Sequence, residues 1–215
     1  MKRIGIYIIF LGLIFLVACK DDDYVYPPAI TEILSAQTDA RGTISSLLPD
    51  KCEPLPVGNA DRFSGLVPDS VYRMIGVYEI VDGTDNSSAS HIYSIQQVIS
   101  HNPIPMSGTE MKTDPVTVQS IWRSGNYINL IVQVKSHTVA HVFRFVESGY
   151  IPTSLGFVLS LSLYHDKGDD IEAYTQRAYM SVPLNKYDGT LKEGDVISFT
   201  INTYKEGLKT YQLVY

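Results

Sequence analysis

The stretch YINLIVQV, residues 127–134, has an aliphatic residue at every second position. The apolar residues at every second position are Ile128, Leu130, Val132 and Val134. An alternation with period two over four or more residues is typical of a β-strand with one buried face. Asn129 and Gln133 lie between them, as expected for the more polar face of an antiparallel sheet. The stretch therefore predicts a half-buried strand.

The same alternation recurs across the second half of the chain, at residues 157–163, 178–182 and 197–201. Turn-forming sequences that contain glycine separate these stretches, among them Ser124-Gly125-Asn126, Asp166-Lys167-Gly168 and Tyr187-Asp188-Gly189. Short strands at this spacing are typical of a β-sandwich or a β-barrel. We predict that residues 114–215 form a C-terminal β-sandwich domain.

The first half is less regular but is also predicted to be β. Its candidate strands are Ala29–Ala36, Arg62–Leu66, Val71–Val81 and His91–Ser100, with polar, proline-rich turns from Arg41 to Pro56. Four or five strands in about 75 residues fit a small OB-like barrel, which we place at residues 29–103. A short helix or 3-10 turn is predicted near Ile44–Leu48. The fold class is therefore all-β, an OB-like barrel followed by a β-sandwich.

The stretch HNPIPMSGTEMKTDP, residues 101–115, separates the two predicted domains. It contains three prolines and a Ser-Gly pair, which is the composition of a linker or a long loop.

The N-terminus has the pattern of a secretory signal. Lys2 and Arg3 precede the 15 nearly continuous apolar residues from Ile4 to Ala18. A helix of that length spans about 22 Å, less than the roughly 30 Å hydrocarbon core of a membrane. We therefore predict a cleaved signal peptide at residues 1–18 rather than a transmembrane anchor.

The end of this segment, Leu16-Val17-Ala18-Cys19, resembles a bacterial lipobox. The resemblance implies that Cys19 becomes the N-terminus of the mature protein and carries two or three acyl chains. Two chains suffice for stable membrane anchoring, whereas one is marginal. Residues 19–28 are then predicted to be a lipidated tether that ends in Pro27-Pro28.

The run Lys20-Asp21-Asp22-Asp23 follows the cysteine directly. It resembles the acidic sorting tag of Bacteroidetes lipoproteins that are exported to the cell surface. The predicted location is therefore the outer face of the outer membrane. The alternative is a solvated spacer, with the protein on the periplasmic face.

Charge and cysteine content restrict the function classes. The chain has 17 basic and 23 acidic side chains, and loss of Lys2 and Arg3 with the signal changes the net charge from −6 to −8. Nonspecific nucleic-acid binding requires a basic footprint, so no nucleic-acid partner is predicted. Cys52 is the only cysteine besides Cys19, so no intramolecular disulfide is expected.

The segment VTVQSIWRSGNYINL, residues 116–130, completes a pattern with the lipobox, the acidic run and the barrel-like segment. The chain resembles the NigD-like lipoproteins of Bacteroidetes. The resemblance rests mainly on Trp122, Gly125, Tyr127, Asn129 and Leu130. It implies an N-terminal OB domain and a C-terminal β-sandwich over nearly the whole mature chain. The family takes its name from a bacteriocin operon, and the resemblance implies no particular activity.

Three features of the sequence contain residues that bind metals in other proteins. His137 and His141 have the spacing of a helical zinc motif, but the β-branched and aromatic composition of 138–146 predicts a strand, on which the two would lie about 13 Å apart. The loops 82–87 and 166–170 are rich in oxygen ligands but lack the EF-hand spacing, and hairpin turns prefer the same residues. We predict no metal and no cofactor.

No catalytic motif stands out. A Gly-x-Ser-x-Gly elbow, a phosphate-binding loop and a dinucleotide fingerprint are all missing from the sequence, and Cys52 has no histidine near it in sequence. We therefore predict a non-enzymatic, lipid-anchored envelope protein that binds a protein, peptide or glycan, with immunity to a bacteriocin as one form. The alternative is an envelope hydrolase acting on glycan or peptide.

Overall fold

The structure, a computed structural model, describes residues 28–82, 88–106, 110–153 and 156–215. Strands dominate these residues, and the only helices among them are the 3-10 turns Ala60–Arg62 and Asn185–Tyr187, so the predicted all-β class is confirmed. The strands are β1 Ile30–Thr38, β2 Ile44–Leu48, β3 Leu55–Pro56, β4 Val71–Asp82, β5 Ser88–Gln97, β6 Ile104–Pro105, β7 Thr117–Ser124, β8 Tyr127–Ser136, β9 Val142–Thr153, β10 Gly156–Asp166, β11 Tyr174–Pro183, β12 Val196–Thr203 and β13 Gly207–Val214.

The first five strands form a closed barrel. They lie in one sheet in the order β3-β2-β1-β4-β5, with antiparallel neighbours throughout. A parallel bridge between Val57 and Ser90 joins the two edges of this sheet, and the N–H of Gly58 donates to the carbonyl of Ser90 over 2.8 Å. The resulting order, β1-β2-β3-β5-β4 and back to β1, is a five-stranded Greek-key closure. The predicted OB-like barrel is therefore confirmed.

The barrel has its own hydrophobic core. The buried side chains inside it are Leu34, Ala36, Ile44, Leu47, Met74, Tyr78 and Ile92. Burying a large apolar side chain stabilises a fold by about 1.5–3 kcal/mol, so this cluster accounts for much of the stability of the barrel.

Two further sheets form the predicted β-sandwich. One has the order β13-β12-β10-β9-β6 and the other the order β11-β8-β7. The core residues between them include Ile128, Leu130, Val132 and Val134 of the opening stretch, together with Leu159, Leu161, Ile197 and Phe199. The period-two alternation of these strands follows from this packing, because every second residue faces the opposite sheet.

The barrel is tied to the sandwich by the residues that follow β5. The N–H of Val98 donates to the carbonyl of Arg73 in the barrel, over 3.0 Å. Ile99 then pairs with β11 of the sandwich: its N–H donates to Tyr179, and its carbonyl accepts from Ser181. The chain thus leaves the barrel as an extra strand segment along the edge of β11.

The prediction of a helix or 3-10 turn near Ile44–Leu48 is wrong, because this segment is strand β2. Its buried residues, Ile44 and Leu47, are three apart, as on a helical face. The pairing with β1 explains this spacing. Thr38 lies opposite Ile44 and Gln37 opposite Ser46, so Ser45 is a bulge that shifts the alternation by one residue.

The prediction of a strand at Arg62–Leu66 is also wrong. The residues Ala60–Arg62 form a 3-10 turn, and Gly65 has a φ of +89°, which ends any extended run. The segment is nevertheless fixed to the barrel, because Phe63 and Leu66 form backbone hydrogen bonds with Ile44 and Gly42.

The proline-rich stretch 101–115 contributes directly to the sandwich. Strand β6 within it pairs parallel with Val146 and Glu147 of β9, and Thr113 forms a parallel bridge with His165. The two hydrophobic cores are distinct, but the predicted domain bounds, 29–103 and 114–215, stay a prediction.

Candidate functional site

A buried guanidinium group lies where the barrel meets the sandwich. Arg73 of β4 has an almost fully buried side chain, 3% exposed, and it forms a bidentate ion pair with Asp50, which is 6% exposed. The two N–O distances are 2.5 and 2.6 Å. Three more hydrogen bonds complete the set: Nε donates to Ser181, Nη1 to Ser35 and Nη2 to Asn129. All five N–H donors of the guanidinium group are therefore satisfied.

The partners of Arg73 come from both domains. Ser35 and Asp50 belong to the barrel half of the chain, whereas Asn129 and Ser181 lie on β8 and β11 of the sandwich. The ring of Tyr127 covers the guanidinium carbon at 3.8 Å from the ring centroid, a cation–π contact. A buried charge is tolerated only when it is paired and hydrogen-bonded, so both domains have to be in place around Arg73.

Three of the residues that carry the family resemblance lie at this junction. Tyr127 covers the guanidinium group, and Asn129 accepts from both Arg73 and Ser181, the latter over 2.7 Å. Gly125 has a φ of +53°, and a Cβ added there would lie 3.1 Å from the Cβ of Asp50. Leu130 belongs to the sandwich core. Domain docking therefore explains three of the five residues that carry the resemblance.

The junction leaves a small polar cleft of about 290 Å³, lined by Ser35, Tyr72, Arg73, Gln97, Ser100 and Tyr127. Asn129 is 1% exposed, and its Nδ2 has no hydrogen-bond partner among the described residues. Asp50 already neutralises the guanidinium group, which would otherwise attract an anion. The junction therefore has a structural role.

A second polar cluster lies between two connections of the sandwich: the one that joins β8 to β9 and the one that follows β10. Nε2 of His141 lies 3.2 Å from Oδ2 of Asp170, and Nδ1 of His141 lies 2.9 Å from Nε2 of His165. Nδ1 of His165 lies 2.8 Å from the carbonyl oxygen of Asp114. This series of hydrogen-bonded groups is shielded from solvent, since the side chains of His141 and Asp170 are 4% and 1% exposed and His165 is 2% exposed.

The protons on the two imidazole rings can be counted from the two ends of this hydrogen-bonded series, the Asp114 carbonyl and the Asp170 carboxylate. A carbonyl oxygen only accepts, so Nδ1 of His165 carries a proton. The carboxylate of Asp170 also accepts, so Nε2 of His141 carries one too. A third proton lies between the two rings. Three protons on four ring nitrogens make one neutral imidazole and one imidazolium.

The surroundings decide which ring is neutral. Burial lowers the pKa of His165; the Asp114 carbonyl opposes this shift, and the charge of His141 adds to it. We therefore assign the neutral ring to His165.

Asp170 is held ionised in this cluster. Burial alone would raise its pKa, but hydrogen bonds from the backbone N–H groups of residues 137, 139 and 138 and from the ring of His141 outweigh burial and hold the pKa well below its usual range. The cluster thus clamps the 137–141 turn onto the β10–β11 loop, and its carboxylate has no free lone pair directed toward solvent.

His137 and His141 do not lie on a strand, so the strand predicted over residues 138–146 is wrong for 138–141 and confirmed from Val142 onward. Strand β9 begins only at Val142, and residues 137–141 form a turn. The carboxylate of Asp170 draws the backbone into this turn, against the β-branched composition of the segment. The ring of His137 is exposed, and only the backbone N–H of His137 reaches Asp170. Among the described residues no group of three or more His, Cys, Asp or Glu side chains is placed to hold a metal.

Of the four described carboxylates in the two acidic loops, Asp82, Asp166 and Asp170 already have donors, and Asp169 is exposed. Asp166 accepts from Lys112 and from the N–H of Gly168, and Asp170 is part of the histidine cluster. In the other loop, Asp82 accepts from Ser88, and residues 83–87 lie outside the described residues. The arrangement is that of turns fixed by their own side chains.

The remaining predicted residues are placed as follows. Cys52 is exposed and has a free thiol. Cys19, Lys20, Asp21, Asp22 and Asp23 lie outside the described residues. Within the part of the chain that the structure describes, no helix is long and apolar enough to cross a membrane.

Among the described residues, a hydroxyl group contacts a histidine ring nitrogen where Nδ1 of His137 lies 3.3 Å from Oγ1 of Thr138. The two residues are neighbours in an exposed turn. A nucleophile–base pair also requires a group that orients the base. His137 also accepts a hydrogen bond from the hydroxyl of Tyr174. The acceptor is the backbone carbonyl of His137, so this bond does not orient the imidazole ring.

Sequence reasoning missed the residues of the domain junction. Arg73, Asp50 and Ser181 were not singled out, and neither was Ser35. The one available signal is that Arg73 lies inside the apolar run VYRMIGVY, residues 71–78, where a charged residue is unexpected. Its partners carry no such signal.

These observations define the class of protein: an OB-like barrel docked through a buried arginine onto a C-terminal β-sandwich. The family model of the NigD-like C-terminal beta sandwich domain matches residues 101–215, more than half of the chain. The chain belongs to the NigD-like family, as the resemblance of its sequence predicted.

Solved structures with the same fold come from related bacteria. A NigD-like immunity protein from Bacteroides caccae is 32% identical, with a TM-score of 0.71, over 88% of this chain and 93% of that one. A protein of unknown function from Bacteroides vulgatus is 18% identical, with a TM-score of 0.65, over 86% and 91%. A protein provisionally described as a lipoprotein, from Bacteroides fragilis, is 14% identical, with a TM-score of 0.59, over 87% and 98%. No curated protein sequence matches the chain significantly.

Proposed function

We propose that the protein is a non-enzymatic, lipid-anchored protein of the outer membrane that acts by binding another protein at the cell surface. The Bacteroides caccae relative is described as an immunity protein, which supports an immunity role; the agent we infer, from the family resemblance, is a bacteriocin. Cys19 would hold the acyl chains, and Lys20 to Asp23 would direct the protein to the outer face.

The domain junction is the observation that carries the binding role. The buried charge of Arg73 is neutralised and fully hydrogen-bonded only when the barrel and the sandwich are docked. Such a junction fixes the relative position of two β modules and gives a single rigid surface. A rigid surface loses little conformational entropy on binding a partner, which favours affinity.

The polar clusters support a binding role over hydrolysis. Asp170 and the rings of His141 and His165 are shielded from solvent and bonded to one another, so they cannot reach a substrate. Glu147 accepts from both Lys186 and Tyr187, at 2.6 and 2.8 Å, and thereby fixes the Asn185–Tyr187 turn. Each of these groups stabilises a loop or a turn.

A killing assay tests the proposal. The gene is deleted in its own strain, and the deletion strain is exposed to culture supernatant from the parent strain. We expect the deletion strain to be killed and to be rescued by the wild-type gene, but not by the Cys19→Ser variant. Survival of the deletion strain in supernatant that kills an unrelated sensitive strain would contradict the immunity role.

A second assay separates binding from hydrolysis. Purified protein is incubated with cell-envelope glycan and with peptidoglycan peptides, and the release of reducing sugars and free amines is measured. We expect no release above that of heat-denatured protein. A turnover that depends on the folded protein would favour the hydrolase alternative instead.

A further inference from the structure

Strand β9 has an incompletely covered edge. On one side it pairs with β10 from Val142 to Thr153. On the other side, within the described part of the chain, its only strand partner is β6, which pairs with Val146 and Glu147. Among the described residues no strand lies against positions 142–145 on that side.

A groove of about 440 Å³ follows this edge. Its lining residues are His101, Asn102 and Ile104 on the side of β6, and Val142, Phe143, Arg144 and Phe145 on the side of β9. The uncovered part of the β9 edge and the groove therefore coincide.

The backbone groups of Phe143 are directed into the groove. Phe143 lies opposite His165 in the β9–β10 ladder. In an antiparallel pair, opposite residues exchange either both hydrogen bonds or neither. His165 uses its N–H and carbonyl with Lys112 and Asp114, on its other side. The N–H and carbonyl of Phe143 therefore point away from β10, toward the groove.

Strand β6 shows that this edge accepts a parallel strand, since Met106 donates to the carbonyl of Glu147 over 2.9 Å. Among the described residues the chain does not extend this pairing to Phe143, since β6 begins at Ile104 and no backbone hydrogen bond joins Asn102 to Phe143. An added segment beside Phe143 would lie on the same side of β9 as β6 and would continue the line of β6 along that edge.

The charge at the groove is positive. Arg144 is exposed and stands beside the ring of Tyr164, 5.9 Å from its centroid. Within the part of the chain that the structure describes, no carboxylate lies within 4 Å of its guanidinium group. The nearby carboxylate of Glu147 is neutralised by Lys186. An acidic side chain opposite Arg144 would be stabilised, as cross-strand pairs of opposite charge are.

We propose that the open edge of β9 binds an extended, acidic segment of a partner protein as an added strand. The backbone groups of Phe143 supply hydrogen bonds, and Arg144 selects the charge; strand addition of this kind is a general mode of peptide recognition. A second copy of this chain fits less well, because symmetric β9–β9 pairing would bring two Arg144 side chains together. The inference deepens the proposed function by naming the class of partner.

Two labelled peptides test the proposal: acetyl-TVEVTVEVT-amide, and the same peptide with lysine at each glutamate. Binding to the mature, lipidated protein in detergent is measured by fluorescence anisotropy. We expect the acidic peptide to bind at least tenfold more tightly than the basic one. Arg144→Glu should reverse this preference. Arg177→Glu, which changes another exposed arginine on the edge strand β11, is the matched control and should leave it unchanged.

Amide hydrogen exchange gives an independent readout. We expect the amide of Phe143 to exchange rapidly in the free protein and to be protected at least tenfold by the acidic peptide. Protection in the free protein that appears only as a dimer forms would show that a second copy occupies the edge. Protection that is lost when residues 20–26 are deleted would assign the edge to the tether. Either result, or equal binding of both peptides, would overturn the proposal. The killing assay uses neither peptide, so the proposed function is tested separately.

Discussion

Arg73 and Ser181 are 108 residues apart in the chain, yet Nε of Arg73 donates a hydrogen bond of 2.8 Å to Oγ of Ser181. This contact joins the barrel to the sandwich at the centre of their junction. The charge that makes it necessary is balanced by Asp50 within the barrel half of the chain. The junction therefore combines an ion pair made within the barrel with hydrogen bonds made across the two domains.

The first prediction concerns this ion pair. Asp50→Ala should lower the free energy of unfolding by about 3–5 kcal/mol, because it leaves a buried guanidinium charge without its counter-ion. Chemical denaturation of the mature protein measures the loss. Asp61→Ala is the matched control: Asp61 is exposed, so its loss should change the stability by no more than about 0.5 kcal/mol. Equal losses in the two variants would contradict the structural role of Arg73.

The second prediction concerns acid stability. The pKa of His165 is lowered in the folded protein, so below its ordinary value of 6.5 the unfolded state binds a proton that the folded state does not. The contribution of His165 to stability is therefore fully present above pH 6.5 and should be lost as the pH decreases below it. The slope for one such group is at most about 1.4 kcal/mol per pH unit.

His165→Asn tests the acid prediction. The amide can still donate to the Asp114 carbonyl but does not titrate. We expect the variant to be less stable at pH 7, by about 1–3 kcal/mol, because His141 loses its partner. Between pH 6.5 and 5 its stability should depend less on pH than that of the wild type. His91→Asn is the control, since His91 lies on the barrel, outside the cluster. An unchanged slope in His165→Asn would refute the assignment.

The third prediction concerns the anchor. Cys19→Ser should abolish labelling by palmitate and release the protein from the membrane fraction, because the thiol is the atom that takes the lipid. Cys52→Ser is the matched control and should leave both unchanged, since Cys52 is exposed in the folded barrel half. Labelling that persists in Cys19→Ser would exclude the lipobox interpretation.

The fourth prediction concerns the acidic run. Replacing Asp21, Asp22 and Asp23 with alanine should shift the protein from the outer face to the periplasmic face, since the negative charges would be read by sorting machinery. Protease added to intact cells should then digest the wild type and spare the variant. Acylation, amount and thermal midpoint should stay the same, because the segment is polar and precedes Pro27-Pro28. Equal digestion would identify the run as a plain spacer.

The sequence by itself determined the strands that have one buried face. β8, β10 and β12 were predicted because each residue of these strands faces either the core or the more polar side of its sheet, and the period of two is visible without a structure. The lipobox and the acidic run are equally local signals, addressed to enzymes and sorting machinery that act on a short segment. The family motif was also visible, although its role was not.

Only the tertiary structure decided what depends on residues far apart in the chain. The bulge at Ser45 makes the spacing of β2 look helical, and it exists because β1 imposes the register. Asp170 forms the 137–141 turn from 31 to 33 residues away, against the local β propensity. The partners of Arg73 lie 23, 38, 56 and 108 residues from it. Hydrogen bonds of this kind depend on positions that the whole fold creates, and no periodicity in the sequence encodes them.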